Sequence, residues 1–269
     1  MTQPAIDGLE LLGHLPSVRV HTPPLLFVHG AFAGAWCWEE HFLPWFAAHG
    51  FAAHALSLRG HGASHGGEAL QSLAIADYVE DIATAVDRLA AAPVLIGHSM
   101  GGFVVQKYLE THEVPAAALL APVPPNGLLG PSASLAMWEP GLFWEIGKSR
   151  SNGGPWGSVE TMRRALLPDD VPAAVAAPYL ARMNGESLTA MMDMSGGDLV
   201  DIRRVGPVPL LLLGGAEDRL IPPAYIRSAA RAYGVEADIL PGIAHGMMLG
   251  PGWETVARRL HDWLIGLGL

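Results

Sequence analysis

The sequence holds a single cysteine, Cys37, in 269 residues, so it can form no internal disulfide and no cysteine-ligated metal cluster. Basic residues are scarce as well. Sixteen Lys and Arg stand against 26 Asp and Glu, a formal charge of 16 − 26 = −10. Without a basic patch nothing neutralises phosphate, which argues against nucleic acid and anionic membrane as partners. No apolar run approaches the length that spans a bilayer. The first twenty residues carry Asp7 and Glu10 rather than a basic start and an apolar stretch. The expectation is a soluble cytoplasmic protein with no signal peptide and no membrane span. The 12 histidines show no H-E-x-x-H or related ligand spacing, so no metal is expected. Nor is there a Ser-, Pro- or charge-rich linker, which favours one domain with an insertion over two domains.

Half of the residues are hydrophobic, enough for a sheet covered by helices on both faces. Short apolar runs read as buried strands at residues 25–28, 51–56, 93–96, 116–120, 208–213 and 236–240. Helical spacing occupies the intervals at 36–48, 78–89, 103–110, 222–233 and 253–264. Strands alternating with helices, most strands apolar throughout, predict a doubly covered parallel sheet. Residues 122–201 break the rhythm. They hold Trp138, Trp144 and Trp156 with Met137, Met162, Met183, Met191, Met192 and Met194, interrupted by Pro and Gly. Three or four short helices are expected there, set as a soft-lined lid on a core made of 1–121 and 202–269.

Residues 97–101 read Gly97-His98-Ser99-Met100-Gly101, with the strand Pro93-Val94-Leu95-Ile96 before them and a helical segment after. In such an elbow the turn is too tight for side chains beside the serine, and the hydroxyl is lifted to where a histidine can reach it. Ser99 is the candidate nucleophile. A serine needs a base, and the base needs an orienting acid. Asp218 follows the strand at 208–213, with Glu217 as its rival, and His245 follows the last strand. The order Ser99, Asp218, His245 is the one this elbow type uses. The oxyanion needs backbone donors. Met100, directly after the nucleophile, supplies one, and Ala31 in the loop 29–36 supplies the other, with Phe32 as the alternative. His29 is read as bonding its own loop, and His61 as part of a Gly-rich turn. His98 is read as a packing residue, kept with Phe32, Trp138 and Trp144 among the candidates for substrate contact.

These motifs make the chain resemble an α/β-hydrolase of the serine-esterase type over essentially its whole length. The matching pieces are His29-Gly30, Arg59-Gly60-His61-Gly62-Ala63-Ser64, Gly97 to Gly102, Gly215-Ala216-Glu217-Asp218 and His245. The resemblance implies a mostly parallel eight-stranded sheet with a helical cap after the sixth strand. Gly30 to Trp38 is further similar to the branch of plant methyl esterases and hydroxynitrile lyases. The lyases of that branch carry Thr in the oxyanion loop and Lys after the histidine, where this chain has Gly30 and Gly246. Ser99 argues against dehalogenases and epoxide hydrolases, since the former and most of the latter on this fold use an Asp nucleophile. The expectation is a cofactor-independent hydrolase of a small or medium apolar carboxylic ester. Thioesters, lactones, activated amides and C–C bonds are chemically open, as are a lyase, a cofactor-free peroxidase or a ligand receptor on the same fold. Oligomeric state, a homodimer included, is open too.

Overall fold

The computed structural model describes residues 7–151 and 158–269; Trp156 and the Gly153-Gly154-Pro155 break lie outside the described residues. Seven strands are β1 (Leu11–His14), β2 (Leu25–Val28), β3 (Ala53–Leu56), β4 (Val94–His98), β5 (Ala117–Leu120), β6 (Leu210–Gly215) and β7 (Ala237–Leu240). They form one sheet in the order β1-β3-β2-β4-β5-β6-β7. All neighbours are parallel except β1, which runs antiparallel to β3 with Leu11 opposite Leu56.

Every residue of β2 to β5 is buried, which is why these strands are nearly all apolar instead of alternating, with His54 in β3 and His98 at the end of β4 as the exceptions. The pleat sends alternate residues to opposite faces. Leu25 and Phe27 pack with α2 (Phe42–Ala48) and α11 (Trp253–Gly266), while Leu26 and Val28 pack with α3 (Ile75–Asp87), α4 (Met100–Tyr108) and α10 (Pro223–Ala232). The helix expected across 36–48 is two, because α1 (Trp36–Glu39) ends and His41 leaves helical backbone geometry at φ −139° before α2 begins.

The eight strands implied by resemblance are seven among the described residues. The apolar-run reading also passed over β1, a four-residue edge strand, Leu-Leu-Gly-His, of which only the first two residues are buried. With one strand before β2, the insertion falls between the fifth and sixth strands and not between the sixth and seventh. It forms α5 (Leu129–Trp138), α6 (Pro140–Ser151), α7 (Val159–Leu166), α8 (Ala173–Leu180) and α9 (Leu188–Met192), more helices than expected. Leu135, Leu142, Met162, Ala165 and Leu167 give it an apolar core of its own, and that core closes on Phe32. No helix among the described residues is long and apolar enough to cross a membrane.

Candidate active site

Ser99 sits between β4 and α4 at φ 52°, a left-handed conformation that costs a non-glycine residue energy and aims its side chain out of the turn. The flanking glycines make this possible. A Cβ on Gly97 would lie 2.5 Å from the Gly101 carbonyl oxygen, and one on Gly101 would run into the carbonyls of Val28 and His29. His245 Nε2 lies 2.9 Å from Ser99 Oγ, and His245 Nδ1 lies 2.8 Å from Asp218 Oδ2. The other Asp218 oxygen accepts the N–H groups of Leu220 at 2.9 Å and Ile221 at 2.8 Å, which fixes the carboxylate beside its histidine. Glu217 is exposed while Asp218 is buried against the histidine, so burial and bonding separate the two acids. Both Asp218 and His245 are buried, at 4% and 3% exposure, so their hydrogen bonds are shielded from water.

His98 Nε2 lies 2.9 Å from the His245 carbonyl, holding the segment that carries the base. Burial, reinforced by the neighbouring His245, drives the His98 pKa well below its ordinary value, so it is a neutral donor. His29 is pushed to about 3, first by burial and then by His61; its ring bonds the Gly30 carbonyl at 2.8 Å and accepts the Leu58 N–H at 3.0 Å. The loop 29–36 lies close under Ser99: a Cβ on Gly30 would stand 2.8 Å from His98 Nδ1 and 3.0 Å from Ser99 Cβ. The N–H groups of Ala31 and Met100 donate to no acceptor among the described residues. Phe32 differs. Its N–H donates to Glu186 Oε2 at 3.2 Å, so the alternative oxyanion donor is already engaged and Ala31 is left as the candidate.

A cavity of about 150 Å³ opens above Ser99. Its floor includes Ala31, Phe32, His98, Met100 and His245, and the inserted segment supplies Leu128, Leu135, Ile146, Leu166, Met183, Met191 and Met194. Among the described residues no acid, lysine or arginine lines it.

A profile of the Alpha/beta hydrolase family matches residues 25–259. The chain belongs to that family. The hydrolase fold is shared by solved structures of low identity. A bromoperoxidase from Bacillus anthracis is 18% identical, with TM-score 0.71 over 96% of this chain and 94% of that one. An esterase from Exiguobacterium antarcticum is 17% identical, with TM-score 0.72 over 96% and 97%. A thermophilic esterase from Thermogutta terrifontis, solved with malate bound, is 19% identical, with TM-score 0.70 over 99% and 97%. No curated protein matches the sequence.

Within this hydrolase two expected contacts are corrected. Trp138 is 76% exposed and Trp144 is 64% exposed, and neither reaches the cavity. Trp138 is the last residue of α5, beyond the turns that face Ser99, and Trp144 lies on the outer side of α6 under the Lys148 ammonium, 5.5 Å from its ring centre. The methionine half of that reading fits better, since Met183, Met191 and Met194 do line the cavity. Glu186 went unread altogether. Its side chain is buried, in Asn184-Gly185-Glu186-Ser187, a stretch whose spacing signals nothing.

Proposed function

We propose that this hydrolase cleaves a neutral carboxylic ester with a small apolar group, through an acyl-enzyme on Ser99 and without a cofactor. The observation that carries the reading is the unbroken hydrogen-bonded line Asp218–His245–Ser99 at the floor of an uncharged cavity, beside two unengaged backbone donors. His245 Nε2 takes the Ser99 proton as Oγ attacks the carbonyl carbon. The oxygen that becomes negative is met by the Ala31 and Met100 N–H groups, donors already in place before the charge develops. His245 then gives its proton to the leaving alcohol; Asp218 holds the neutral imidazole in the required tautomer and stabilises the imidazolium while it lasts. Water, deprotonated by the same histidine, attacks the acyl carbon and releases the acid.

The 150 Å³ cavity is of the size that accepts a benzene-like group, so it suits a short alkyl chain or a single ring on one side of the ester. The absence of charged lining argues against acidic or cationic groups at that end, because each would lose hydration uncompensated. Residues 122–201 act in this reading as a cap whose leucines and methionines form the pocket wall. Similarity to the methyl esterase and lyase branch is read on its esterase side. Gly30 has His98 and Ser99 against it, and a Cβ on Gly246 would stand 2.9 Å from the Leu166 carbonyl oxygen. Neither position has room for the Thr and Lys of the lyases. The test is a panel of p-nitrophenyl esters from acetate to octanoate, with acyl-CoA thioesters alongside. Hydrolysis of the short esters is expected, with loss of about 10⁴-fold in folded Ser99→Ala. Thioester-only turnover, or none, would overturn the ester reading.

A further inference from the structure

The turn that presents Ala31 is closed by the Ala33 N–H on the Gly30 carbonyl at 3.3 Å, and it places Phe32 at φ 67°. A phenylalanine gains nothing from that left-handed backbone, so something outside the turn must hold it there. Both peptide groups of Phe32 are clamped by one segment of the insertion. Its N–H donates to Glu186 Oε2, and its carbonyl accepts the Asn184 N–H at 3.1 Å. The same segment is tied to the core by Asn184 Nδ2 on the Gly60 carbonyl at 3.0 Å and Gln71 Nε2 on the Glu186 carbonyl at 3.1 Å.

Glu186 is charged at a fully buried site. Burial opposes its ionisation, but His61 beside it, the Ser187 N–H and the Tyr78 hydroxyl outweigh that and keep its pKa low. Oε1 accepts Tyr78 Oη–H at 3.0 Å and Ser187 N–H at 2.7 Å, while Oε2 accepts Phe32 N–H and His61 Nε2–H at 3.1 Å. Burial likewise opposes the His61 imidazolium, and the Glu186 charge and hydrogen bond overcome it. A carboxylate with four donors is satisfied, and it is held from four directions. A residue needed only to fill this space could be apolar at less desolvation cost.

We infer that Glu186 is a positioning residue for the oxyanion donor: by accepting the Phe32 N–H it keeps the turn in the conformation that leaves the Ala31 N–H facing the cavity above Ser99. The inference rests on the ester-hydrolase reading, in which Ala31 serves the transition state. Glu186 touches no substrate and acts through Phe32. The consequence is specific. Loss of the acceptor should weaken transition-state binding while leaving ground-state binding alone, so kcat falls and KM holds.

The experiment compares wild type, Glu186→Gln, Glu186→Asp and Tyr78→Phe, each normalised to active sites by titration with a p-nitrophenyl phosphonate. Readouts are kcat and KM on a short p-nitrophenyl ester and the Kd of an alkylboronic acid, whose tetrahedral Ser99 adduct places an oxygen at the oxyanion position. Glu186→Gln is expected to lower kcat by on the order of 10- to 100-fold, less than outright removal of a donor, with KM within about twofold and boronate affinity falling in step with kcat. Tyr78→Phe removes a donor from the far oxygen and should lower thermal stability without that loss of kcat. Because a glutamine oxygen can still face Phe32, wild-type kcat and boronate affinity in both titrated Glu186→Gln and titrated Glu186→Asp, or an equal kcat loss in Tyr78→Phe, would overturn the inference. Should Glu186→Gln fail to fold, Glu186→Asp keeps the charge but withdraws it from Phe32; the same kcat loss is expected, and wild-type kcat there would overturn it equally. Failure of the underlying reading looks different, as no titratable site and turnover that survives Ser99→Ala.

Discussion

Leu135 projects from α5 into the cavity above Ser99 and is 8% exposed, so Leu135→Ala tests whether the inserted helices form the pocket wall. The substitution removes Cγ and both Cδ atoms, space that a longer substrate chain could occupy. Each methylene moved from water into an apolar site contributes about 0.8 kcal/mol. At 1.36 kcal/mol per decade, that is about fourfold in kcat/KM per carbon. Wild type should therefore gain about fourfold with each methylene until the cavity is full, then decline. Leu135→Ala should carry the rise up to about three carbons further, an advantage approaching 60-fold for the longest ester that newly fits. Stability should fall by about 2 kcal/mol, the low end for such truncations, because the side chain already borders a void. The assay is kcat/KM over p-nitrophenyl esters of increasing length, normalised to titrated active sites. Trp138→Ala serves as control, since Trp138 is exposed and outside the cavity, and its profile should match wild type. A Leu135→Ala profile that superimposes on wild type, or a Trp138→Ala profile that shifts, would refute the assignment of the wall.

Asp218→Asn should lower kcat by about 10³- to 10⁴-fold by favouring the wrong histidine tautomer, while Glu217→Gln, on an exposed side chain, should change it little; steady-state kinetics showing the reverse order would reassign the acid. His29 is neutral when folded, with a pKa of about 3 against 6.5 when exposed, so between those values the unfolded chain binds a proton that the folded chain does not. Stability should therefore fall as pH drops through that window, by up to about 1.4 kcal/mol per unit from this residue. Denaturant melts from pH 7.5 to 4.5 should show a shallower acid slope in His29→Gln than in wild type; equal slopes would contradict the buried neutral state. His61 carries the opposite sign: its pKa is raised by Glu186 above the ordinary 6.5, so its contribution is full below that value and fades as pH rises through the folded value.

Legibility divides along a physical line. The strands under Ser99 were readable because each is buried on both faces and therefore apolar at nearly every position, His98 at the end of β4 being the exception. The elbow was readable because its backbone collides with any side chain at Gly97 or Gly101, leaving a fixed sequence mark. Asp218 and His245 were proposed from their stations after β6 and β7, and the hydrogen bond to His245 favours Asp218 over the exposed Glu217. What escaped depends on contacts between distant segments. Glu186 and Phe32 are 154 residues apart, and nothing local marks either as the other's partner. The tryptophans misled for a related reason. Composition says that a segment is rich in large apolar side chains, but which of them face inward depends on where each short helix begins and how it docks. On α5 the inward turn holds Pro131, Ser132 and Leu135, and Trp138 falls past it.

The most direct test of the central claim is to trap the acyl-enzyme. Wild type and Ser99→Ala are mixed with a short p-nitrophenyl ester, quenched in acid within the first turnover and analysed by intact-protein and peptide mass spectrometry. The account predicts a stoichiometric p-nitrophenol burst and a mass gain of one acyl group on the peptide containing Ser99, both missing from Ser99→Ala. An acyl group on any other residue, or ester turnover that persists in folded Ser99→Ala, would contradict it.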